Sequence, residues 1–409
     1  MSDRSSVLIT HTKDELWSFL FKITHRTHPK HFTRETNSPL CFVKTALLLL
    51  RMIKKSAKVE LMDFFYSFDK QAATVSRQAF AKAREKISYT AFKSFFEKSC
   101  ELVVDMAKPK LHKGYRLLAI DGSSFVAGEL CKLSEYFGTS TTVAGKAMCR
   151  ISAVVDVLDD TIADAVVSPF SKGERTLAIE QVKNLKDVSN ALYLFDRGYW
   201  SSELIAEIIS SGQKFLMRLQ SNNNKIGIVC ESGETINLRR HSFTLPSGIE
   251  EVLITNISPD DMSDDELAWL YAKRWGAETK YLELKSRLQI DRLSGESVNA
   301  VLQDIYATLY MSNLVSFMAD SANDIIEANT SGKDNMYKQK ANKSVAIAAL
   351  RRRFVDICLI DDPLGQQAQL DQLYSEISKS VNYKGKSKPK PRNKTKIQKS
   401  RGRNNKPLL

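Results

Sequence analysis

Long apolar runs are absent. The longest in the 409-residue chain, ALLLL at 46–50, is too short to cross a bilayer, so neither a transmembrane segment nor a membrane partner is expected. Cysteine is scarce and scattered: Cys41, Cys100, Cys131, Cys149, Cys230 and Cys358 form no CxxC pair, and no secretory leader is visible. That usage excludes a disulfide framework and suits a reducing cytoplasm. His25, His28 and His31 in HRTHPKH stand three apart, but Pro29 interrupts the helix that would align them and no compact Cys/His set follows. A metal site is not expected there. Acidic residues are missing from residues 377–409, which hold twelve Lys or Arg and three prolines, leaving only +1 of the formal net charge of +13 for everything before them. With so few apolar side chains this basic tail cannot offset its ordering entropy and reads as disordered, with nucleic-acid contact its expected role.

What is there divides by pattern. Residues 1–113 read as helices with no β pattern between them, from TKDELWSFLFKI and CFVKTALLLLRMIKK to YTAFKSFFEKSCELVVDMA. Within this region VELMDFFYSF, a polar turn and SRQAFAKAREKI form a helix pair whose second member starts near Ser76. Arg77, Lys82, Arg84 and Lys86 are expected on its surface, compatible with a helix-turn-helix reader of DNA. A strand-rich core is expected over 114–219. There Leu117–Ile120 should form a strand ending at Asp121 and Gly122, and CRISAVVDVLDDTIADAVVSPF an antiparallel hairpin turning at Leu158–Thr161. A helix, a strand ending at Asp196 (ALYLFDRGYW), a second helix and the strand KFLMRL follow. The order β-β-β-α-β-α-β implies an α/β fold, a mixed sheet covered by helices. Residues 220–252 read as a small β insertion, 253–320 as the second part of the core, and 321–376 as a helical C-terminal region.

Three carboxylates stand out. LLAIDG and LYLFDRG each end an apolar run in one aspartate with a glycine within two residues, which would clear backbone bulk from the approach. The third lies in SDDELAWLYAKRWGAETKYLELK, where Ser263 and Glu266 form a capping box that starts a helix near Asp264, expected to run to about Leu288. Gly276 inside that helix costs about 1 kcal/mol against alanine, which implies a close approach to its backbone. At about 100° per residue, Tyr271, Arg274, Glu278 and Lys285 fall within an arc of about 60°, while Lys273, Lys280 and Glu283 point away. A solvated charged face and turn-capping aspartates are the plainer alternatives. Three carboxylates brought within ~4 Å of one another would repel by roughly 4 kcal/mol per pair at an effective dielectric near 20, a penalty that a divalent cation removes. Hard oxygen ligands suit Mg²⁺, with Mn²⁺ as a substitute, and two such ions can clamp the attacking and leaving oxygens of a phosphodiester. Asp121, Asp196 and Glu278 are thus the expected catalytic metal ligands, and Tyr271, Arg274 and Lys285 the expected grips on flanking phosphates.

These residues carry a resemblance. Tyr271, Arg274, Glu278 and Lys285 match the pattern Y-x2-R-x3-E-x6-K in full, and AIDGS and FDRGYW match the two aspartate motifs of the DDE transposases of the bacterial insertion-sequence-four family, to which the transposase of transposon five belongs. SRQAFAKAREKI and NKSVAIAALRRRF are similar to the family's helical segments before and after the core. The resemblance implies a ribonuclease-H-like catalytic domain with a β insertion between the second Asp and the Glu. It also implies cut-and-paste transposition by a homodimer on paired inverted repeats, with double-stranded DNA, transposon ends and target, as partner and the bacterial nucleoid as location. Strand nicking, hairpin formation, hairpin opening and strand transfer would follow one another in a single site. Hairpin formation needs a base held out of the stack, for which Trp200, Trp275 and Trp269 are the aromatic choices. A DNA-binding regulator of transposition that has lost catalysis, and a nuclease without strand transfer, are the competing readings.

Overall fold

The computed structural model describes residues 3–33, 38–51, 54, 56–68, 75–140, 143–220, 227–229, 235–245, 248, 250–332 and 337–384. The expected disorder of the tail therefore lies, from residue 385 on, outside the described residues. Two compact units emerge, one of residues 1–99 with 287–409 and the other of residues 100–286.

The first unit is helical. Its N-terminal part holds α1 (Arg4–Trp17), α2 (Phe19–Thr24), α3 (Phe42–Leu50), α4 (Ala57–Phe68), α5 (Arg77–Arg84) and the start of α6 (Thr90–Val104). The single helix expected at TKDELWSFLFKI is two, because Ser18 closes α1 with its backbone N–H and caps α2 with its hydroxyl. Ser76 caps α5 as its sequence signalled.

The other unit begins with β1 (Arg116–Gly128), α7 (Cys131–Phe137), β2 (Thr139–Ser140), β3 (Val143–Asp156) and β4 (Thr161–Pro169). It continues with α8 (Glu174–Asn184), β5 (Ala191–Phe195), α9 (Ser202–Ser210), β6 (Lys214–Leu219), β7 (Gly227–Val229) and β8 (Thr235–Asn237). It closes with β9 (Arg239–Thr244), β10 (Glu250–Thr255), α10 (Asp264–Ala272) and α11 (Trp275–Ser286). Eight strands form one mixed sheet in the order β2-β3-β1-β5-β6-β10-β9, with β4 on the same edge of β3 as β2. β1, β5 and β6 run parallel, and the β3–β4 hairpin adds antiparallel strands on one side. The central parallel strand, β5, is apolar and buried throughout, as a strand covered on both faces must be.

The structure corrects or refines three expectations. β1 does not stop at Asp121: it pairs with β3 from Leu118 to Gly128, so Asp121 sits mid-strand, opposite Ala153. The hydrogen bonds of the β3 ladder sustain it where the parallel pairing with β5 has ended. Among the described residues of the β insertion expected at 220–252, β7 and β8 form a separate two-stranded sheet while β9 adds to the edge of the main sheet beside β10. The helix expected from Asp264 to Leu288 is broken between Ala272 and Trp275, where N–H groups of Lys273, Arg274, Gly276 and Ala277 bond three residues back instead of four. Such a tight turn re-aims the chain.

The first unit resumes with α12 (Val298–Thr330), β11 (Lys338–Ala341), α13 (Lys343–Leu359), α14 (Pro363–Ser378) and β12 (Val381–Lys384). α12 is buried on all sides from Ala300 to Ala319, which makes it the core of its unit, with α1, α3, α13 and α14 packed round it. Order also extends past the expected boundary at 377: α14 reaches Ser378 and β12 pairs with β11, because Val381 and its neighbours have a strand to join.

Candidate active site

The site is built where β1 and β5 part. Their last parallel pair is Ala119 with Leu194, and Asp121 and Asp196 each stand two residues further on, so both emerge at one level of the sheet. Gly122 N–H donates to Asp121 Oδ1 at 2.9 Å, and burial, with Glu278 and Glu174 adding to it, pushes the carboxyl up to about 6 although Arg274 works against the shift. Asp196 Oδ1 accepts from the Tyr271 hydroxyl at 3.3 Å, and burial raises that phenol to about 12.

Helix α11 supplies the rest. Gly276 lets its backbone lie against the β3–β4 turn: a Cβ there would stand 2.8 Å from Val157 Cγ1. Lys280 and Glu283, which the angular count turns away from Tyr271, Arg274, Glu278 and Lys285, are buried. Lys280 Nζ reaches Asp160 O at 2.7 Å, Asp160 Oδ1 at 2.8 Å and Glu283 Oε1 at 3.2 Å. Burial opposes that charge, but the two carboxylates hold the ammonium above its usual range. Tyr281 donates to the carbonyls of Asp121 and Ile151. So seated, α11 presents Glu278 and Lys285 towards β1, with Lys285 Nζ donating to Ser123 Oγ at 2.5 Å.

Arg274 ties the parts together. Its guanidinium donates to Glu278 Oε1 at 2.9 Å, lies 5.6 Å from the centroids of both the Tyr271 and Trp275 rings, and is held charged against burial by Tyr271, Glu278 and Asp196. Its Nε has no hydrogen-bond partner among the described residues. The i to i+4 ion pair, the weaker orientation on a helix, forms because Arg274 sits in the tight turn before α11.

Of the remaining residues singled out above, Arg77 and Lys82 are exposed on α5, but Arg84 is not a surface cation. It is 3% exposed and bonded to Asp304, Gln303, Ser294 and the Ala300 carbonyl, with Gly295 leaving it room. The eight-residue helix presents one side to its own unit, and Arg84 is on that side. Trp275 is 49% exposed beside Arg274; Trp200 is half-buried. Trp269 is engaged by Lys273, 4.2 Å above its ring, and by the His112 ring at 4.5 Å. Sequence reasoning missed Glu174, whose side chain fills the space a Cβ on Gly122 would need, at 3.2 Å. No local signal marks it. It also missed Tyr281, which the same angular arithmetic places about 20° outside the 60° arc.

The oxygen-only donor set fits a hard divalent cation, and the rise at Asp121 caused by its own burial and the carboxylates near it is the imbalance that such a cation relieves. As they stand, each carboxylate is held by another partner, and among the described residues no three His, Cys, Asp or Glu side chains are gathered to hold an ion.

A family model for the transposase DDE domain matches residues 112–314, which takes in the whole of this site. A transposase assigned to insertion sequence element IS4SA of Synechocystis sp. is 21% identical, over 69% of this chain and 84% of the relative. The transposase InsG for insertion sequence element IS4 of Escherichia coli is 22% identical, over 59% of this chain and 61% of the relative. Residues 112–314 are thus a transposase DDE domain, and the chain is similar to transposases of the insertion-sequence-four family. The fold of this chain is ribonuclease-H-like, similar to that of the piggyBac transposase in a cryo-EM synaptic complex with hairpin DNA. That likeness spans 91% of this chain and 85% of the other at a TM-score of 0.50 and 11% identity. No helix among the described residues of the chain is long and apolar enough to cross a membrane.

Proposed function

We propose that this chain is a transposase that excises and inserts its element by cut-and-paste chemistry, with Asp121, Asp196 and Glu278 as the catalytic carboxylates. The observation that carries the reading is the common level of the sheet at which Asp121 and Asp196 stand, with Glu278 and Arg274 electrostatically coupled to the first of them. These three carboxylates would hold Mg²⁺ or Mn²⁺, which when bound supplies charge neutralisation at the phosphodiester under attack. Lys285 is exposed and Arg274 is paired with Glu278, and in this reading each supplies a charge-assisted hydrogen bond to a phosphate flanking the scissile bond. Tyr271 holds the Asp196 carboxylate in orientation. Nicking, hairpin formation, hairpin opening and strand transfer are each in-line displacements at phosphorus, so one such site serves all four. The exposed ring of Trp275 is suited to stack a displaced base, with half-buried Trp200 second. Arg77 and Lys82 on α5, and the Lys and Arg residues beyond 384, offer phosphate contacts that position the DNA without reading it. The working assembly is a homodimer on two DNA ends, in the bacterial cytoplasm at the nucleoid.

The test uses a duplex carrying the inverted repeats that border the gene, incubated with Mg²⁺. The wild-type chain should give nicked, hairpin and joined products, while Asp121→Ala, Asp196→Ala and Glu278→Ala should bind the duplex and give none. Cutting at the wild-type rate by any one of them removes that residue from the site. Binding without cutting by the wild type would make the chain a regulator of transposition.

A further inference from the structure

Tyr281 lies inside the site and has no part in the chemistry above. Its hydroxyl stands 3.0 Å from the backbone carbonyl oxygen of Asp121 and 2.9 Å from that of Ile151, so one buried phenol touches both β1 and β3 at the level of the first catalytic aspartate. A phenol has a single proton, which here is shared between two acceptors. An un-ionised phenol keeps that proton at neutral pH, so the hydroxyl acts as a donor. Along α11, Tyr281 is one turn past Glu278 and one turn before Lys285, so the three share a side of the helix.

We propose that Tyr281 is a positioning residue: its hydroxyl clasps the Glu278-bearing helix to the backbone of Asp121 and so sets the separation of those two carboxylates. The proposal rests on the reading of Asp121 and Glu278 as a catalytic pair. Packing alone does not require the hydroxyl, since a phenylalanine fills the same space. Nor does the seating of α11 as a whole depend on it, because Gly276 against Val157 and the buried Lys280–Asp160–Glu283 group hold the helix independently. What the hydroxyl adds is alignment within that seat. A group that aligns ligands without touching the ion has a defined signature, a weaker ion and a slower reaction with substrate binding and stability intact.

The experiment compares wild type, Tyr281→Phe, Asp121→Ala and Glu278→Ala as full chains. Mn²⁺ alone is titrated by calorimetry, thermal unfolding is followed without metal, and nicking is measured on the inverted-repeat duplex. Tyr281→Phe should bind Mn²⁺ and nick about ten- to hundredfold less well, with KM for the duplex unchanged and the unfolding temperature within a few degrees of wild type. Placing 4-aminophenylalanine at position 281, which restores a donor on the same ring, should recover both. Wild-type Mn²⁺ affinity and nicking in Tyr281→Phe, while Asp121→Ala and Glu278→Ala are dead, overturns the proposal and leaves the site intact. A loss that tracks only a fall in unfolding temperature, or no recovery with the amino analogue, also overturns it. Wild-type nicking by Asp121→Ala or Glu278→Ala instead removes the catalytic pair, and the clasp's purpose with it.

Discussion

Arg84 in the helical unit and Arg274 in the sheet unit are 3% and 6% exposed, and each faces a carboxylate, yet they are satisfied to different degrees. Arg84 spends its donors on Gln303, Ser294, Ala300 and Asp304, while Asp304 accepts in turn from the Ser294 hydroxyl and N–H. That network is closed. Arg274 has Glu278, two aromatic rings and an Nε with no partner among the described residues. A buried ion pair recovers its desolvation cost only when its remaining hydrogen-bonding groups are matched. The first pair is matched within its own unit, and the second leaves a buried donor unpaired.

The comparison can be broken at several points. The largest effect should come from Arg84→Met, which strands Asp304 as a buried charge and should lower stability by about 3–5 kcal/mol in urea denaturation at neutral pH. Burial works against the Asp304 carboxylate, but Arg84 and Lys54 hold it below its usual range. Its stabilisation is therefore complete above the ordinary carboxylate range and lost as pH falls through the lowered folded value. The difference between variant and wild type should shrink in acid; a constant difference would mean that packing, not charge, is lost. Arg274→Gln should do the reverse. Its partner Glu278 is one-third exposed, so stability should change by less than about 1 kcal/mol, while loss of a charge-assisted phosphate contact worth roughly 1.5–3 kcal/mol should slow cutting about ten- to hundredfold. A destabilisation matching that of Arg84→Met would erase the distinction between the two arginines.

Asp121 supplies the next contrast, with the opposite sign to Asp304. Burial, Glu278 and Glu174 push its carboxyl up to about 6, so the folded protein binds a proton there more readily than the unfolded chain. The folded state loses stability through this group as pH rises from the ordinary carboxylate range through 6. Measured with chelator at pH about 7.5, Asp121→Asn should therefore be more stable than wild type by about 1–2 kcal/mol while unable to cut, and the gain should vanish near pH 4. A less stable Asn variant at neutral pH would show that the charged carboxylate is already compensated. Smallest of all, Lys82→Ala on the exposed side of α5 should leave stability within about 0.5 kcal/mol and reduce the log–log salt dependence of duplex binding by about 1. An unchanged slope would take this helix off the DNA.

Local rules carried the reading far where the interaction was local. The Ser263–Glu266 capping box, the Ser76 cap, the apolar run before Asp196 and the turn of the β3–β4 hairpin each depend on residues a few positions apart, and each is found where its pattern lies. The motif spacing also brought Tyr271, Arg274 and Glu278 together, with Lys285 further along the same helix, although the helix that justified the arithmetic is broken around Arg274, between Tyr271 and Glu278. A tight turn at Lys273 and Arg274 shifts the angles without separating those side chains. Only the tertiary structure decided which charges are buried. Arg84 meets Asp304 across 220 positions, Lys280 meets Asp160 across 120, and Tyr281 meets the Asp121 carbonyl across 160. Charge pattern on a helix records how polar a side chain is. Whether it faces water or a partner depends on what the rest of the chain brings against it, and that is set by hydrogen bonds and packing between segments with no shared local sequence.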